Sequence, residues 1–521
     1  MSNLRDPVGS RRAVFGLIAL AAVVVGGATA VVFLIRAGGD PGAASTWPIS
    51  WELRSSDNGT LFQFWGDVAA GRTLDWSFSP QVFVFPELPM SGIAFVVAGG
   101  SIYGYYLAVA ILNQVVIFLL FVGLARTLWP TSGAIAVTLR AAIAIVPLLL
   151  IPLLGTSWVM SFHLAPTYYA GMYFALLGAP LLLLVTRPWM RAVIGVGLAL
   201  TIASNPLTLV FAAPGLVAIL VARLVRSGWR STVRPAAWVL GLLAVAVIVR
   251  GIVTPLQGTG LFTYMNPTVF GSRLSQLQPY WAYQLLDPAA GFVLPLGALL
   301  ALGCLAAAAT AWVRLVAGRP AGLDAPRMFA TVYLGLVPVG GLVATFIAMI
   351  THYYYFWPAL ILPFALVTFA LPWSALRAVG IAGTAGLLII GVATGGLQNL
   401  ASPDRYFGYR GAETRCLDDA VPGQVGFATF SDARRVSLPS ATGFRLIPVT
   451  PDVVPNLWLT NRAYSRSESG TFFYANEQGD ERAIDGDVLR ARFGVPDRTV
   501  SCGDGQTVWI YDHPVSVAGS G

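Results

Sequence analysis

The amino-acid sequence predicts an α-helical polytopic membrane protein with a C-terminal α+β domain. Hydrophobic residues make up 56% of its 521 residues and charged residues only 11%, whereas soluble proteins carry roughly 25% charged residues. Apolar runs long enough to cross roughly 30 Å of hydrocarbon recur along the chain. No Asp or Glu lies inside these runs, and none lies between Glu87 and Asp287. The formal net charge of +8 comes from arginines, many of them in short loops, so it does not indicate a nucleic-acid partner.

The first apolar run, 13–35, follows Arg5, Arg11 and Arg12 and predicts a helix that stays in the membrane. Its apolar core is longer than the roughly 7–15 residues of a cleaved signal peptide. About eleven transmembrane helices are predicted, at 13–35, 103–125, 138–157, 169–186, 189–204, 206–222, 236–253, 291–313, 328–350, 356–373 and 378–396.

Arginines mark every second connection between these runs, on the side that also holds the N-terminus. They include Arg126, Arg187, Arg191, Arg223, Arg226, Arg230, Arg234, Arg314, Arg319, Arg327 and Arg377. Because positive residues favour the cytoplasmic side, the N-terminus is predicted in the cytoplasm and the C-terminus outside it. In an alternative, the runs 189–204 and 206–222 form one re-entrant unit, and the C-terminus still lies outside.

The first long loop, 37–91, is predicted outside the cytoplasm and carries most carboxylates of the membrane half. They are Asp40, Glu52, Asp57, Asp67, Asp75 and Glu87. Ser56-Asp57 indicates a helix start, because such side chains cap the free N–H groups of a first turn. The residues that follow predict an amphipathic helix on the membrane surface. Prolines at 80, 86 and 89 prevent a regular helix in 76–90.

A transmembrane domain at 1–400 is predicted to precede an extracytoplasmic domain at 401–521. Alternating apolar residues predict strands at 424–430 and 507–511, and 487–493 predicts a short helix. Cys416 and Cys502 lie near opposite ends of this domain, and an exported location favours a disulfide between them. The alternative is two buried free thiols. The three histidines, at 163, 352 and 513, are far apart and show no metal-ligand spacing.

Together these features resemble the GT-C superfamily of membrane glycosyltransferases, which use polyprenyl-phosphate-linked sugars. More narrowly, the chain is similar to a largely uncharacterised bacterial family of polytopic proteins. The likeness is carried by Asp57, Asp67-Val-Ala-Ala-Gly-Arg72, Trp76, Pro80, Phe85-Pro86-Glu87-Leu-Pro-Met90, Asn205-Pro206-Leu207 and Leu457-Trp458-Leu-Thr-Asn461-Arg462-Ala463-Tyr464.

The resemblance implies a protein of the bacterial cytoplasmic (inner) membrane that transfers a hexose or pentose with inversion. The donor is a polyprenyl-phosphate sugar, and the acceptor is an extracytoplasmic cell-envelope glycan, lipid or protein. In GT-C enzymes an Asp of the first outer loop is the general base that deprotonates the acceptor. Asp57 matches that residue best and Asp67 second, with Glu87 as a third candidate for catalysis or substrate binding. The alternative is that Asp57 only caps its helix. The need for a divalent metal is left open, and no other cofactor is predicted.

The donor phosphate requires cations at the outer headgroup level. Arg250, at the outer end of 236–253, and Arg273, in 254–290, are the candidates. The alternative for each is contact with lipid headgroups or with a helix-capping carbonyl. His163 and the pair His352-Tyr353 fall in outer turns and are predicted to hydrogen-bond sugar or phosphate. The alternative there is the ordinary aromatic belt of membrane proteins.

A second function fits the sequence: a non-catalytic membrane scaffold or transporter whose exported domain binds cell-wall material. A transporter normally carries ionisable residues in mid-membrane, and this chain has no carboxylate in its predicted spans. A scaffold stays open, because nothing in the sequence requires Asp57 to react.

Overall fold

The computed structural model describes residues 8–37, 56–154, 163–167, 170–258, 288–318, 325–348, 357–393, 404–476, 483–503 and 505–517, and also Ser275, Ala282 and Leu286. Up to residue 393 helices dominate these ranges. The helices are α1 Val8–Ala37, α2 Ser56–Ala69, α3 Glu87–Ala98, α4 Ile102–Leu128, α5 Ala134–Leu154, α6 Ala170–Leu184, α7 Pro188–Ser204, α8 Leu207–Val253, α9 Pro288–Val316, α10 Ala325–Gly335, α11 Val337–Ala348, α12 Trp357–Ala370 and α13 Trp373–Ala393.

Seven helical segments in the described ranges are long and apolar enough to cross a membrane. They belong to α1, α4, α5, α8, α9, α13 and the pair α10 and α11. Four more helices, α3, α6, α7 and α12, are apolar but shorter. The chain is therefore a helical membrane-embedded protein, as its composition predicts. Three of these shorter helices, α6, α7 and α12, coincide with predicted spans. The count of eleven crossings therefore stays a prediction.

Helix α8 folds back on itself. At Gly228 its backbone has φ 73° and ψ 177°, which are not helical values and which favour glycine. A straight helix of its 47 residues would be about 70 Å long. Yet Arg250, near its end, donates a hydrogen bond of 2.9 Å to the carbonyl of Ala203, just before its start. Both ends of α8 therefore lie together, and the element is a hairpin of two helical arms, as the separate predicted runs 206–222 and 236–253 require.

Small residues let the helices approach closely around one apolar core. At Gly340 in α11 an added Cβ would lie 2.3 Å from the carbonyl oxygen of Phe211 in α8. At Gly335 in α10 it would lie 2.4 Å from the carbonyl oxygen of Cys304 in α9. Backbone contacts of this kind are typical of helices packed within a membrane.

Beyond residue 404 the chain forms a mixed sheet with short helices, which we call the tail. The elements are α14 Asp404–Phe407, α15 Ala412–Ala420, β2 Val425–Thr429, α16 Phe430–Ser437, β3 Arg445–Val449, β4 Thr460–Asn461, α17 Arg462–Ser467, β5 Gly470–Asn476, α18 Gly486–Phe493, β6 Arg498–Gly503 and β7 Gln506–Val515. Five of the strands form one sheet in the order β3-β2-β5-β7-β6. The predicted strands at 424–430 and 507–511 and the helix at 487–493 are thus confirmed.

The tail sheet is parallel on one side and antiparallel on the other. Strand β2 runs parallel to β3 and β5, and β7 runs antiparallel to β5 and β6. Successive residues alternate between two apolar clusters, so that Phe473 joins one cluster and Phe472 the other. The sheet is therefore covered on both faces, which explains the nearly continuous apolar sequence of β5.

A disulfide joins Cys416 in α15 to Cys502 in β6, with the two Cα atoms 5.7 Å apart. It links residues 86 positions apart, so it constrains a long loop of the unfolded chain. A bridge of this span stabilises a fold by about 3–5 kcal/mol in the chain-entropy description.

We expect both cysteines to resist alkylation when the protein is isolated without reductant, because the bridge leaves no thiol. Mass spectrometry of non-reduced peptides should then find the two segments linked. Cys304 in α9, a free thiol, serves as the internal control after denaturation. Free alkylation of Cys416 and Cys502 in the non-reduced protein would contradict the bridge.

Candidate functional site

Helix α2 is held between the membrane helices and the tail. Its first described residue is Ser56, next to the helix start that Ser56-Asp57 predicts. Asn58 accepts a hydrogen bond of 2.7 Å from the hydroxyl of Thr167, which fixes α2 to the turn 163–167. On the tail side, an added Cβ at Gly59 would lie 2.5 Å from Cδ1 of Leu438. The amphipathic pattern predicts that the apolar face rests in lipid. Leu61 of this face is instead fully buried by protein, whereas Val68 is 38% exposed.

Asp57, the first candidate for the general base, lies half-buried on the first turn of α2. Arg434 of α16 is 2% exposed and lies within the electrostatic reach of Asp57. Burial lowers the pKa of Arg434 to about 10, and Asp57 is the largest influence that favours its charged form. Arg434 therefore stays positive at neutral pH and places a positive charge near the Asp57 carboxylate.

Arg434 is itself fixed by contacts with both parts of the chain. Its Nε donates a hydrogen bond of 2.6 Å to Oε1 of Gln63 on α2. Its Nη2 donates to the carbonyl of Leu459. The guanidinium also lies 5.9 Å from the ring centre of Trp76 and 5.5 Å from that of Phe430. These contacts hold one positive charge beside the start of α2.

Asp67, the second candidate, is saturated with hydrogen bonds and is 1% exposed. Its Oδ2 accepts from Nε1 of Trp76 at 3.1 Å and from Nδ2 of Asn461 at 3.0 Å. Its Oδ1 accepts from Nη1 of Arg72 at 3.2 Å and from the hydroxyl of Tyr464. Because both oxygens already serve donors from the loop and the tail, the geometry favours a structural role for Asp67 over proton transfer to an acceptor.

Backbone pairing reinforces this contact. Strand β1, Trp76–Ser77, pairs antiparallel with β4, with Trp76 opposite Asn461 and Ser77 opposite Thr460. The Asp75 carboxylate forms ion pairs with Arg462 at 2.8 Å and with Arg466 at 2.7 Å. We call residues 67–77 and 460–466 the loop–tail joint. It fastens the first long loop to the tail.

Glu87, the third candidate, lies at the start of α3 and is 8% exposed. Its Oε1 accepts a hydrogen bond of 3.2 Å from the backbone N–H of Gly171, in the first turn of α6. An added Cβ at Gly171 would lie 2.6 Å from the same oxygen, so glycine permits this contact. Burial raises the pKa of Glu87 to about 7. Glu87 thus binds the amino-terminal end of α6 from a buried position.

Arg250 lies where the ends of α7 and α8 meet the first long loop, which we call the loop face of the helices. Here the amide of Val82 donates to the carbonyl of Ser204 at 3.1 Å. The amide of Phe78 likewise donates to the carbonyl of Leu256 at 2.6 Å. Arg250 is half-buried, and one of its N–H groups is bound to the carbonyl of Ala203. Arg250 therefore makes a contact with a carbonyl, which is one of the alternatives to phosphate binding.

His163 supports the turn that holds α2. It is fully buried, and its Nε2 lies 2.7 Å from the carbonyl oxygen of Leu148. Burial lowers the pKa of His163 to about 4, so the ring is neutral at pH 7 and donates from Nε2. Asn113 of α4 donates to the carbonyl of Ala165 at 3.1 Å. These contacts hold the turn, which presents Thr167 to Asn58.

The remaining predicted site residues, Arg273, His352 and Tyr353, lie outside the described residues. Within the described ranges, no group of three or more His, Cys, Asp and Glu side chains could hold a metal ion. The sequence reasoning did not identify Arg434, because adjacent arginines on a short amphipathic helix are typical of a solvated face. The segment 457–464 was noticed for its resemblance alone, and its role in the joint comes from the structure.

No protein-family model matches the chain, and comparisons with curated proteins and with solved structures found no match. The class of protein therefore rests on the fold and the site alone. The chain is a helical membrane-embedded protein with a C-terminal mixed sheet. Buried polar contacts join its first long loop to the tail, and Asp57 lies half-buried near Arg434 of the tail.

Proposed function

We propose that the chain is a membrane glycosyltransferase of the GT-C type. It transfers a sugar from a polyprenyl-phosphate donor to an acceptor of the cell envelope, outside the cytoplasm, with Asp57 as the general base. One observation carries this proposal. Of the three candidate carboxylates, Asp67 and Glu87 are buried, whereas Asp57 is only half-buried. A general base must reach the proton that it removes, so Asp57 meets this requirement best.

In the proposed reaction, the acceptor hydroxyl attacks the anomeric carbon of the donor while its proton passes to Asp57. The bond between that carbon and the phosphate oxygen breaks, and polyprenyl phosphate leaves with the bonding electrons. Arg434 places a positive charge near Asp57. In this proposal Arg250, on the loop face, binds the donor phosphate.

The proposal is tested with the purified chain in lipid nanodiscs. Polyprenyl-phosphate-linked hexoses and pentoses, radiolabelled in the sugar, are added together with a cell-envelope fraction as acceptor. We expect label to enter the acceptor and polyprenyl phosphate to accumulate in equal amount. If folded protein transfers none of these sugars, the proposal is wrong.

A scaffold function is favoured by a different observation: Asp67 and Asp75 both hold the tail against the loop. In that function the tail binds envelope material whether or not a donor is present. Co-sedimentation of the protein with envelope fragments, measured with and without donor, separates the two functions. Binding without any transfer would favour the scaffold.

The proposed orientation has the N-terminus in the cytoplasm, eleven crossings and the C-terminus outside. The hairpin of α8 supports the count, because it supplies two antiparallel arms at a place where one long helix would supply one crossing. We expect a reporter that works only outside the cytoplasm to be active when fused after residue 521. A cytoplasmic reporter at the same position is the control, and its activity would overturn the orientation.

A further inference from the structure

A cavity lined with arginines lies at the bend of the α8 hairpin, at the opposite end of the helices from the loop face. Its volume is about 320 Å³. Arg191 of α7 and Arg223 of the first α8 arm line it, together with Arg230 and Arg234 beyond the bend. The apolar part of the wall includes Leu182 and Trp238. We call this the arginine cavity. No acidic residue among the described residues lines it.

Two of these arginines have buried donors that are not used by the protein. Nε of Arg191 and Nε of Arg223 are shielded from solvent and have no hydrogen-bond partner among the described residues. The two positive charges also repel each other. A buried donor without a partner costs free energy, and neighbouring like charges add to that cost. Both costs are offset when an anion binds between the two groups.

The guanidinium groups are fixed in place for such an anion. Arg191 donates to the carbonyl of Val185 and lies 5.7 Å from the ring centre of Trp238. Arg223 lies 4.7 Å from the ring centre of Phe329. Side chains that are already ordered lose little further entropy when they bind a ligand.

Membrane orientation alone does not explain this arrangement. The positive-inside rule requires basic residues in the loops on one side, and exposed arginines such as Arg126 and Arg314 satisfy it. It does not require a cavity in which arginines from two helices converge and their Nε groups are buried. The convergence indicates recognition of an anion.

We propose that the arginine cavity binds a phosphate group, carried either by an anionic lipid headgroup or by a soluble phosphate compound. Guanidinium groups suit phosphate because their planar N–H donors match its oxygens. The volume is at the lower end of the range of ligand sites, roughly 300–1,000 Å³, which fits a headgroup or a small phosphate. Because α7 and both arms of α8 supply the arginines, the bound phosphate holds the hairpin closed. This proposal does not depend on glycosyl transfer.

The test measures the thermal midpoint of the full chain in nanodiscs of zwitterionic phosphatidylcholine. One arm replaces part of that lipid with phosphatidylglycerol, and another adds inorganic pyrophosphate at constant ionic strength. Four forms are compared: wild type, Arg191→Gln/Arg223→Gln, Arg230→Gln/Arg234→Gln, and the control Arg126→Gln/Arg314→Gln. The control removes two exposed arginines and therefore the same net charge.

We expect wild type and control to be stabilised by the phosphate compound, with half-saturation at similar concentrations. In both cavity variants half-saturation should require at least about 10-fold more ligand, as expected for lost charge-assisted hydrogen bonds. Stabilisation by lipid alone assigns the phosphate to a headgroup, and stabilisation by pyrophosphate assigns it to a soluble compound.

The proposal is overturned if neither compound stabilises the wild type, or if the control loses the effect as much as the cavity variants do. Arg230 and Arg234 are exposed, so their variant should fold normally. If Arg191→Gln/Arg223→Gln does not fold, the Arg230→Gln/Arg234→Gln variant alone tests the proposal against the control.

Discussion

Asp57→Asn should abolish sugar transfer while leaving the fold nearly intact. The loss of a positioned general base lowers a rate by about 10²–10⁴-fold. Asparagine has nearly the same size as aspartate and keeps an acceptor oxygen near the free N–H groups of the first turn, so the start of α2 should keep most of its stability. The change therefore removes the proposed base and retains the structural role. Transfer rate and thermal midpoint should be measured on the same purified preparation.

The matched control is Asp487→Asn, which removes an acidic side chain that is 82% exposed in the tail. It should transfer sugar at the wild-type rate. An Asp57→Asn protein that transfers at the wild-type rate would show that Asp57 is only a cap. An Asp57→Asn protein with a much lower thermal midpoint would show that its charge is needed for the contact with Arg434.

Asp67→Asn should open the loop–tail joint. The substituted amide places an NH₂ group where one carboxylate oxygen now faces two donors, and it removes the negative charge beside Arg72. Hydrogen bonds to a charged group contribute about 1.5–3 kcal/mol each, so we expect local stability to fall by about 3 kcal/mol. The N–H of Arg462, which donates to the carbonyl of Asp75 at 2.8 Å, reports on this contact. Its hydrogen exchange should become about 100-fold faster.

Asp75→Asn is the control for this prediction, because it changes a carboxylate of the same joint whose side chain is 27% exposed. Because the Asp75 carboxylate and Arg462 keep contact with solvent, their ion pair contributes less than the buried hydrogen bonds of Asp67, roughly 1 kcal/mol, and exchange at Arg462 should rise by less than about 10-fold. Equal effects of the two substitutions would contradict the central role that the geometry gives to Asp67.

The sequence predicts those parts of the fold that local patterns determine. Apolar runs of sufficient length mark the membrane helices, and Ser56-Asp57 marks the start of α2 because capping depends on neighbouring residues. The pairing of Cys416 with Cys502 is predicted from their positions near opposite ends of a domain that the sequence predicts to be exported. The bend of α8 is suggested by the arginine-rich turn between two apolar runs, although Gly228 is not distinguished there from other glycines.

The candidate site is only partly predictable, because it depends on contacts between distant segments. Strands β1 and β4 have two residues each, too few for an alternating pattern to show. Asp67 and Asp57 are both acidic residues of one loop, and only the tertiary fold buries the first and leaves the second partly exposed. Likewise, Arg434 and Arg435 are neighbours, and packing against α2 selects Arg434.

The loop–tail joint also has a consequence for the order in which the protein is assembled. Asn461 lies 394 residues after Asp67, so nearly the whole chain must be synthesised before they meet. Contacts over such a separation form late, because a long stretch of chain must first be brought together. During biosynthesis Asp67 therefore lacks its tail partners until residues 461 and 464 have been synthesised. A product truncated before residue 460 would contain every membrane helix described here, but its β1 would have no β4 strand with which to pair.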